Sequence, residues 1–471
     1  MNVLKKLTVA LTLTLSTSCL FAQEKANPEI AGKWHIKDII YLNDGEGLGV
    51  TEYSAKKHGV VKVNKEAKAE WEIPLDGQHI LGMGKYKDNA VIFYIDNDDW
   101  DDWHSTFNHI KDIHSAIVDL KSHQLTNDKV VYTGSDYIFP DVNNDPAGNF
   151  INLSIRTTKK SYPEETKKLT ILTLGADGNA VQKEITTAAI NGFFISILAN
   201  KDGNTFVAST SNGSMIVEKF NSNGSLENKL EVSLDIKTNY LYGNKVGLDP
   251  NTNNTVIIGT RYVKKDRNMY VSFCQFNFDE KKAVAIEDIS LEKGSPYKFK
   301  YHSQLIPQNI LFTKDKIFLI KEIENSTSSA SGSKTIYYSE SAVVSIYDKQ
   351  RHINDVVISK NLESFTKTSL GLSCFIKNEK LYILSSELYS IGALENYCYV
   401  IDIPSGKLEK KKIGYNKPNA TRLVSPYCTF WFPNECIVSH LYYQKMFGGV
   451  KFDTILEKIS YDDIDKLTSI N

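Results

Sequence analysis

The chain has 471 residues with a formal net charge of −1, and its lysines are spread along it rather than massed. That balance excludes a general attraction to nucleic acid or to an anionic membrane surface. Hydrophobic content of 41% is ample for a large core, and 25 Tyr with 21 Phe against 5 Trp and 5 Met tilt the chain towards strands.

Residues 1–22 read as an export signal. Lys5 and Lys6 make a basic start, 7–15 an apolar stretch, and Leu20-Phe21-Ala22 a small-residue exit ahead of Gln23. Cleavage after Ala22 is the preferred reading. Cys19 offers a rival, acylation of a lipoprotein cysteine, and with it the one route to a membrane. Its flank Ser16-Thr17-Ser18 lacks the large aliphatic residue such signals carry upstream. Either way the chain is expected outside the cytoplasm: in the periplasm, on the outer membrane or secreted. No later stretch has the length and apolarity of a spanning helix.

The mature chain keeps Cys274, Cys374, Cys398, Cys428 and Cys436, an odd set with no CxxC and no Cys/His spacing. Each sits in an apolar strand pattern, where cysteine acts as a small buried hydrophobe. A disulfide among the last four stays open.

One unit organises residues 23–471. In 214–234 (SMIVEKFNSNGSLENKLEVSL) an apolar run meets Asn221-Ser222-Asn223-Gly224, and a second run then alternates polar and apolar residues. Gly and Asn supply the positive φ of a tight hairpin, and period-2 alternation suits a strand with one wetted face. The stretch 192–211 reads the same way around Asp202-Gly203-Asn204, so two hairpins make a four-stranded meander.

The same third strand, turn and fourth strand recur at 59–75, 115–134, 169–187, 270–291, 342–360 and 397–414, with a shortened copy at 452–461. The last apolar residues before each turn (Val63, Leu120, Leu174, Phe220, Phe276, Tyr347, Ile403) recur at about 55-residue intervals. A length prior would divide such a chain into two or three domains, but stacked supersecondary units escape it. The expectation is one all-β domain: a β-propeller of eight four-stranded blades, with seven as the alternative. The last unit lacks a fourth strand, and 32–42 (GKWHIKDIIYL) is expected to complete it and clasp the ring. The segment 325–333 (NSTSSASGS) reads as a loop within one repeat.

In a meander of this kind, second-to-third connections and blade-to-blade connections share one face. The longest insertions, 96–113, 324–341 and 387–397, fall there, and long loops on a rigid scaffold carry binding. Tyr337 and Tyr338 lie in the second insertion and are candidate ligand contacts. The first holds Asp96, Asp98 and Asp99 with Trp100, Trp103 and His104. Its oxygens are candidate Ca²⁺ ligands and its rings a platform for a glycan or protein partner. It lacks the Gly and terminal Glu of an EF-hand loop, and a solvated acidic loop is the plainer reading. Asp141, Asn143 and Asp145 resemble the start of a calcium loop, although any turn wants the same residues. His104, His109 and His114 repeat at a spacing that puts them on no common face.

The export signal ending in Phe-Ala-Gln, together with the loose repeat, resembles uncharacterised exported β-propeller proteins of Bacteroidetes. The resemblance implies the fold and no active-site residue. No nucleophile elbow, P-loop or dinucleotide fingerprint is present in a fitting context. A non-enzymatic binding or scaffolding propeller is the first expectation, with no obligatory cofactor and no nucleic-acid partner. A glycan-active hydrolase or lyase is the alternative. Arginine is scarce (Arg156, Arg261, Arg267, Arg351, Arg422), and anionic-sugar enzymes rely on convergent arginines, which favours binding.

Overall fold

The computed structural model describes residues 35–470 except 43–45, 55–56, 87–88, 97–99, 102–105, 108–111, 135–136, 145–150, 159–165, 175–179, 188–192, 212, 235, 265–268, 291–303, 329–334, 349–350, 365–370, 391–392, 414–420 and 447–448. Its strands form eight antiparallel meanders, blades 1 to 8, spanning 35–76, 78–133, 137–185, 193–233, 236–290, 304–364, 373–413 and 421–460. The innermost strands are His35–Tyr41, Gln78–Tyr86, Tyr137–Asn144, Phe193–Ala199, Ile236–Leu248, Gln304–Phe312, Ser373–Lys377 and Thr421–Trp431. Each touches the next, and the last touches the first. The ring is a closed, eight-bladed β-propeller.

Burial follows radius. Second strands such as Asn89–Asp96 and Thr205–Ser211 are covered on both faces; the first runs apolar without alternation (NAVIFYID), and the second mixes Phe, Val and Ala with small hydroxyl residues. Fourth strands such as Leu226–Ser233 alternate and face solvent. Turn chemistry at the far ends is as the composition implies. The Asn221 side-chain oxygen accepts from the backbone N–H of Asn223 (2.9 Å) and Ser225 (3.0 Å), and Gly224 takes φ +80. Asn64 and Asn200 repeat the arrangement.

Three expectations are corrected. The first concerns the clasp. His35–Tyr41 does not complete blade 8 but takes the innermost place of blade 1, paired with Gly47–Ser54 from His35↔Glu52 to Tyr41↔Gly47. Ile36, Ile39 and Ile40 are buried there, which the outer place of another blade would not allow. Among the described residues blade 8 has three strands. Closure comes from side chains: Ile36, Ile39, Val61 and Val63 pack on Phe432, Ile437 and Leu456, and the Tyr41 and Phe432 rings lie 5.0 Å apart. The chain then ends in a short helix, Tyr461–Lys466, capped by the Ser460 side chain, which accepts from Asp463 N–H. That helix turns back onto blade 7, where Ser469 bridges Lys411.

The second correction is that 325–328 is strand, not loop. The ladder between Ile317–Ser328 and Thr335–Asp348 runs on to Ser328↔Thr335. The Ser/Thr-rich composition that suggested a linker is also that of a solvated hairpin. The third is that Asp141–Asn144 is not a turn but the end of an innermost strand, with Asp141↔Ser154 and Asn143↔Asn152 in register, while Asp145 lies outside the described residues. The hydrogen-bonded ladder overrides the local preference of Asp and Asn for turns. Among the described residues, no helix is long and apolar enough to cross a membrane.

Candidate functional site

The acidic insertion between the second and third strands of blade 2 does not stay with its own blade. Trp100–Asp101 and Thr106–Phe107 pair as a small hairpin, and Phe107 bridges Ile138 on the innermost strand of blade 3. The hairpin therefore extends that blade on its inner side, towards the ring axis. Asp96 is exposed at the end of its strand, while Asp98, Asp99, Trp103, His104 and Asp145 lie outside the described residues. Tyr337 and Tyr338 are half-buried neighbours on one strand, so they face opposite sides of the sheet and cannot line one site together. Among the described residues, no group of three or more His, Cys, Asp or Glu is placed to hold a metal ion. Cys274, Cys374, Cys398 and Cys436 are buried free thiols, and burial pushes Cys274 and Cys398 up to about 12.

Two places with functional chemistry had no signal in the sequence reading. The first is the upper part of the wedge between blades 6 and 7. Lower down it is apolar, with Phe318, Ile320 and Val344 against Leu381, Ile383 and Ile401. Two positions beyond Ile320, Glu322 accepts from Lys360 and from the Ser339 hydroxyl, and both charged side chains are 0% exposed. The second Glu322 oxygen is buried with no hydrogen-bond partner among the described residues.

Across the wedge, Glu387 and Glu395 are directly opposed on adjacent strands of blade 7. Tyr399 and Lys410 (2.8 Å) donate to Glu387, and Tyr397 and Lys412 donate to Glu395. The Lys410 ammonium also lies 4.0 Å from the Tyr397 ring centroid. Burial raises the Glu387 carboxyl above its ordinary value. For Glu395, burial is outweighed by the hydrogen bonds from Lys412 and Tyr397, and the net direction is down. A periodic strand pattern hides such residues, because the charges stand where apolar neighbours lead one to expect a rim.

The second place is a cavity of about 390 Å³ between the innermost strands of blades 5 to 8. Lys245, Gln308, Asn309, Ser373, Thr429 and Trp431 supply its polar lining, and Val246, Ile310 and Leu372 its apolar part. Trp431 Nε1 donates to Ser373 Oγ (2.7 Å), Gln308 Nε2 donates to Glu324 (2.8 Å), and Asn309 Oδ1 accepts from Ile310 N–H (2.9 Å). Among the described residues no carboxylate lines the cavity. Burial lowers the Lys245 ammonium below its ordinary value. The available signal was Gly243-Asn244 inside a strand pattern, which marks a bulge.

Elsewhere in blade 3, the Arg156 guanidinium lies 4.1 Å from the Phe194 ring centroid. Burial lowers it to about 10 despite the opposing charge of Asp141.

No protein-family model matches the chain, and no curated protein does. Among solved structures it is similar to the β-propeller domain of the Trilobed protease from Pyrococcus furiosus, at 12% identity and TM-score 0.37, over 80% of this chain and 98% of that one. It is similar also to a protein from Lactobacillus plantarum, at 8% identity and TM-score 0.41, over 80% and 96% of the two chains. A post-proline cleaving enzyme from Rickettsia typhi matches at 10% identity and TM-score 0.41, over 88% of this chain and 58% of the enzyme. Likenesses of this size carry nothing about activity, and the eight-bladed ring stands on its own strand topology.

Proposed function

We propose that this is an exported, extracytoplasmic binding or scaffolding β-propeller whose ligand, a protein or a glycan, meets the face bearing the second-to-third hairpins of blades 6 to 8. The observation that carries this reading is the length of those hairpins. In blade 4 the two strands are 7 residues each, Thr205–Ser211 and Ser214–Phe220. In blade 6 they are 12 and 14, and in blade 8 both are 12 (Glu435–Met446 and Gly449–Ser460). Five extra residues in a strand rise about 17 Å. Neighbouring blades thus raise a rigid wall over one side of the ring, a place where a partner can be held without ordering a loop. Export rests on the basic-apolar start of the sequence and its Leu20-Phe21-Ala22 exit.

The glycan-active alternative has one specific observation behind it: two opposed carboxylates, Glu387 and Glu395, displaced in opposite directions. Both are 8% exposed and already ion-paired, which suits a structural part better than a substrate-facing one.

The test is a glycan array probed with the labelled mature chain and with a variant in which 326–337 is replaced by a two-residue turn. Discrete binding by the native chain, lost in the folded shortened variant, is expected. Equal binding by both would remove the wall from the reading. Turnover of a bound glycan, abolished by Glu395→Gln, would replace binding with hydrolysis. Mass spectrometry of the exported chain should find Gln23 at its start, and an acylated Cys19 would put it on a membrane instead.

A further inference from the structure

The cavity on the ring axis is a different place from the hairpin wall, and three features of its lining converge on one chemistry. The first is how the lining residues are aimed. Three of the four innermost strands that form it are bulged, and in each the pairing resumes at a lining residue. The shifts lie between Tyr242 and Lys245, between Pro307 and Asn309, and between Val424 and Thr429. A bulge re-aims the next side chain and occurs preferentially beside functional sites. Innermost strands elsewhere in the ring are bulged too, at Ile36/Asp38, Ile80/Gly82 and Phe194/Ser196, so the bulge itself is common to the fold. What is particular here is that Lys245, Asn309 and Thr429, where pairing resumes, share one space.

The second feature is the sign of the lining. Lys245 is its one charged residue, and Lys245 has neither a salt bridge nor a hydrogen-bond partner among the described residues. Burial lowers its ammonium, and among the described residues no carboxylate offsets it. Cys374, also in the lining, is held as a neutral thiol by burial, so it supplies no counter-charge. The third feature is the surplus of donors. Ser373 Oγ already accepts from Trp431, which leaves its hydroxyl hydrogen to give, and Asn309 uses its oxygen internally, which leaves its amide hydrogens.

We propose that the axial cavity binds a small organic carboxylate with an uncharged polar body, its anionic end on Lys245 and its body among Asn309, Ser373 and Trp431. A carboxylate brings one negative charge, which matches one lysine. A phosphate monoester brings up to two and calls for a second cation or a bidentate arginine, which the lining lacks. About 390 Å³ is also more room than a bare anion fills and lies within the range of small-molecule pockets. An acidic monosaccharide has the required size and character.

The test is calorimetric titration of the folded mature chain with glucuronate, glucose, acetate and inorganic phosphate. Glucuronate should bind at least about tenfold more tightly than any of the other three, and Lys245→Met should weaken it about tenfold or more. A second measurement uses the native chain alone: acetylation of Lys245 by a soluble acylating reagent, followed by peptide mass spectrometry, should be slowed by glucuronate and not by glucose. Phosphate binding more tightly than glucuronate, undiminished binding by Lys245→Met, equal protection by glucose, or neither heat nor protection from any probe would each overturn the proposal. Loss of the hairpin wall by shortening 326–337 should leave glucuronate binding unchanged, so failure here and failure of the glycan-array test are separable.

Discussion

Blades 4 and 6 are built from the same meander and differ in what happens above the common core. Blade 4 stops where its apolar stretch stops. Phe206, Ala208, Met215, Val217 and Leu230 fill its interior, and its second and third strands turn over at Ser211↔Ser214. Blade 6 has the same apolar layer in Phe318, Ile320, Val344 and Ile358, but its strands continue, and the added layer buries Glu322 and Lys360 at 0% exposure. The contrast teaches where a propeller's polar interior comes from. The apolar wedge between neighbouring blades has a fixed height. Strands that outrun it must still cover their backbones against the next blade, and ion pairs with tyrosine donors fill that upper storey. Such pairs contribute little net stability compared with apolar packing of the same volume, but they tolerate only one register.

The largest effect should come from cutting the buried pair in half. Lys360→Met leaves Glu322 charged and enclosed, with the Ser339 hydroxyl as its one remaining donor among the described residues and its second oxygen without a partner among them. The expected loss is about 3–5 kcal/mol. Glu322→Leu combined with Lys360→Met removes both charges and should recover most of that loss or exceed the native stability. Urea unfolding of the three chains measures both. A single variant as stable as the native protein would mean that the upper storey of blade 6 is no more constrained than the rim of blade 4.

The difference between the two blades also marks what the amino-acid sequence reveals. Blade 4 was legible because Asn221-Ser222-Asn223-Gly224 and the alternation of Leu230, Val232 and Leu234 are local signals, and local signals fix turns and strand faces. The same signals located the hairpins of the other blades and so the ring. The upper half of blade 6 was read as a loop, because Asn325 to Ser328 are poor strand formers by composition and it is pairing with Thr335–Tyr338 that makes them strand. His35–Tyr41 was given to the wrong blade for a related reason: an apolar strand pattern does not say which sheet it joins. The axial cavity was not read: Gly243-Asn244 marks only a bulge, and Lys245, Asn309, Ser373 and Thr429 come from four blades and are brought together only when the ring closes.

Blade 7, which faces the upper storey of blade 6, sharpens the comparison through pH. Glu387 carries a raised carboxyl pKa in the folded chain, so in the acid range the folded state holds more protons there than the unfolded state. Its contribution to stability is fully present below the ordinary glutamate pKa of 4.5 and falls as pH rises through the folded value. Glu395 is displaced the other way. Its contribution is present above 4.5 and is lost as pH falls through its lowered folded value. Glu395→Gln should therefore remove stability at pH 7 and little at pH 3, while Glu387→Gln should cost less at pH 7 than at pH 3 relative to the native chain. Thermal unfolding midpoints of the three proteins between pH 3 and 7 give the slopes. Two parallel profiles would mean that the opposed carboxylates titrate as one exposed pair, as a solvated rim would.

The smallest effect belongs to an ion pair on the rim of blade 4. Lys219 and Glu227 lie 3.0 Å apart on its third and fourth strands, with side chains 15% and 39% exposed. Water already solvates the glutamate, so the pair gains modest Coulomb energy and spends side-chain entropy to hold its geometry. Glu227→Gln should cost less than about 1 kcal/mol, and that cost should shrink further in about 1 M salt, where charges a few ångströms apart are screened. The Lys360→Met loss, enclosed by protein on every side, should keep most of its size in the same salt. If both losses fell equally with ionic strength, water would have to reach Glu322, and the buried storey that separates blade 6 from blade 4 would not be dry.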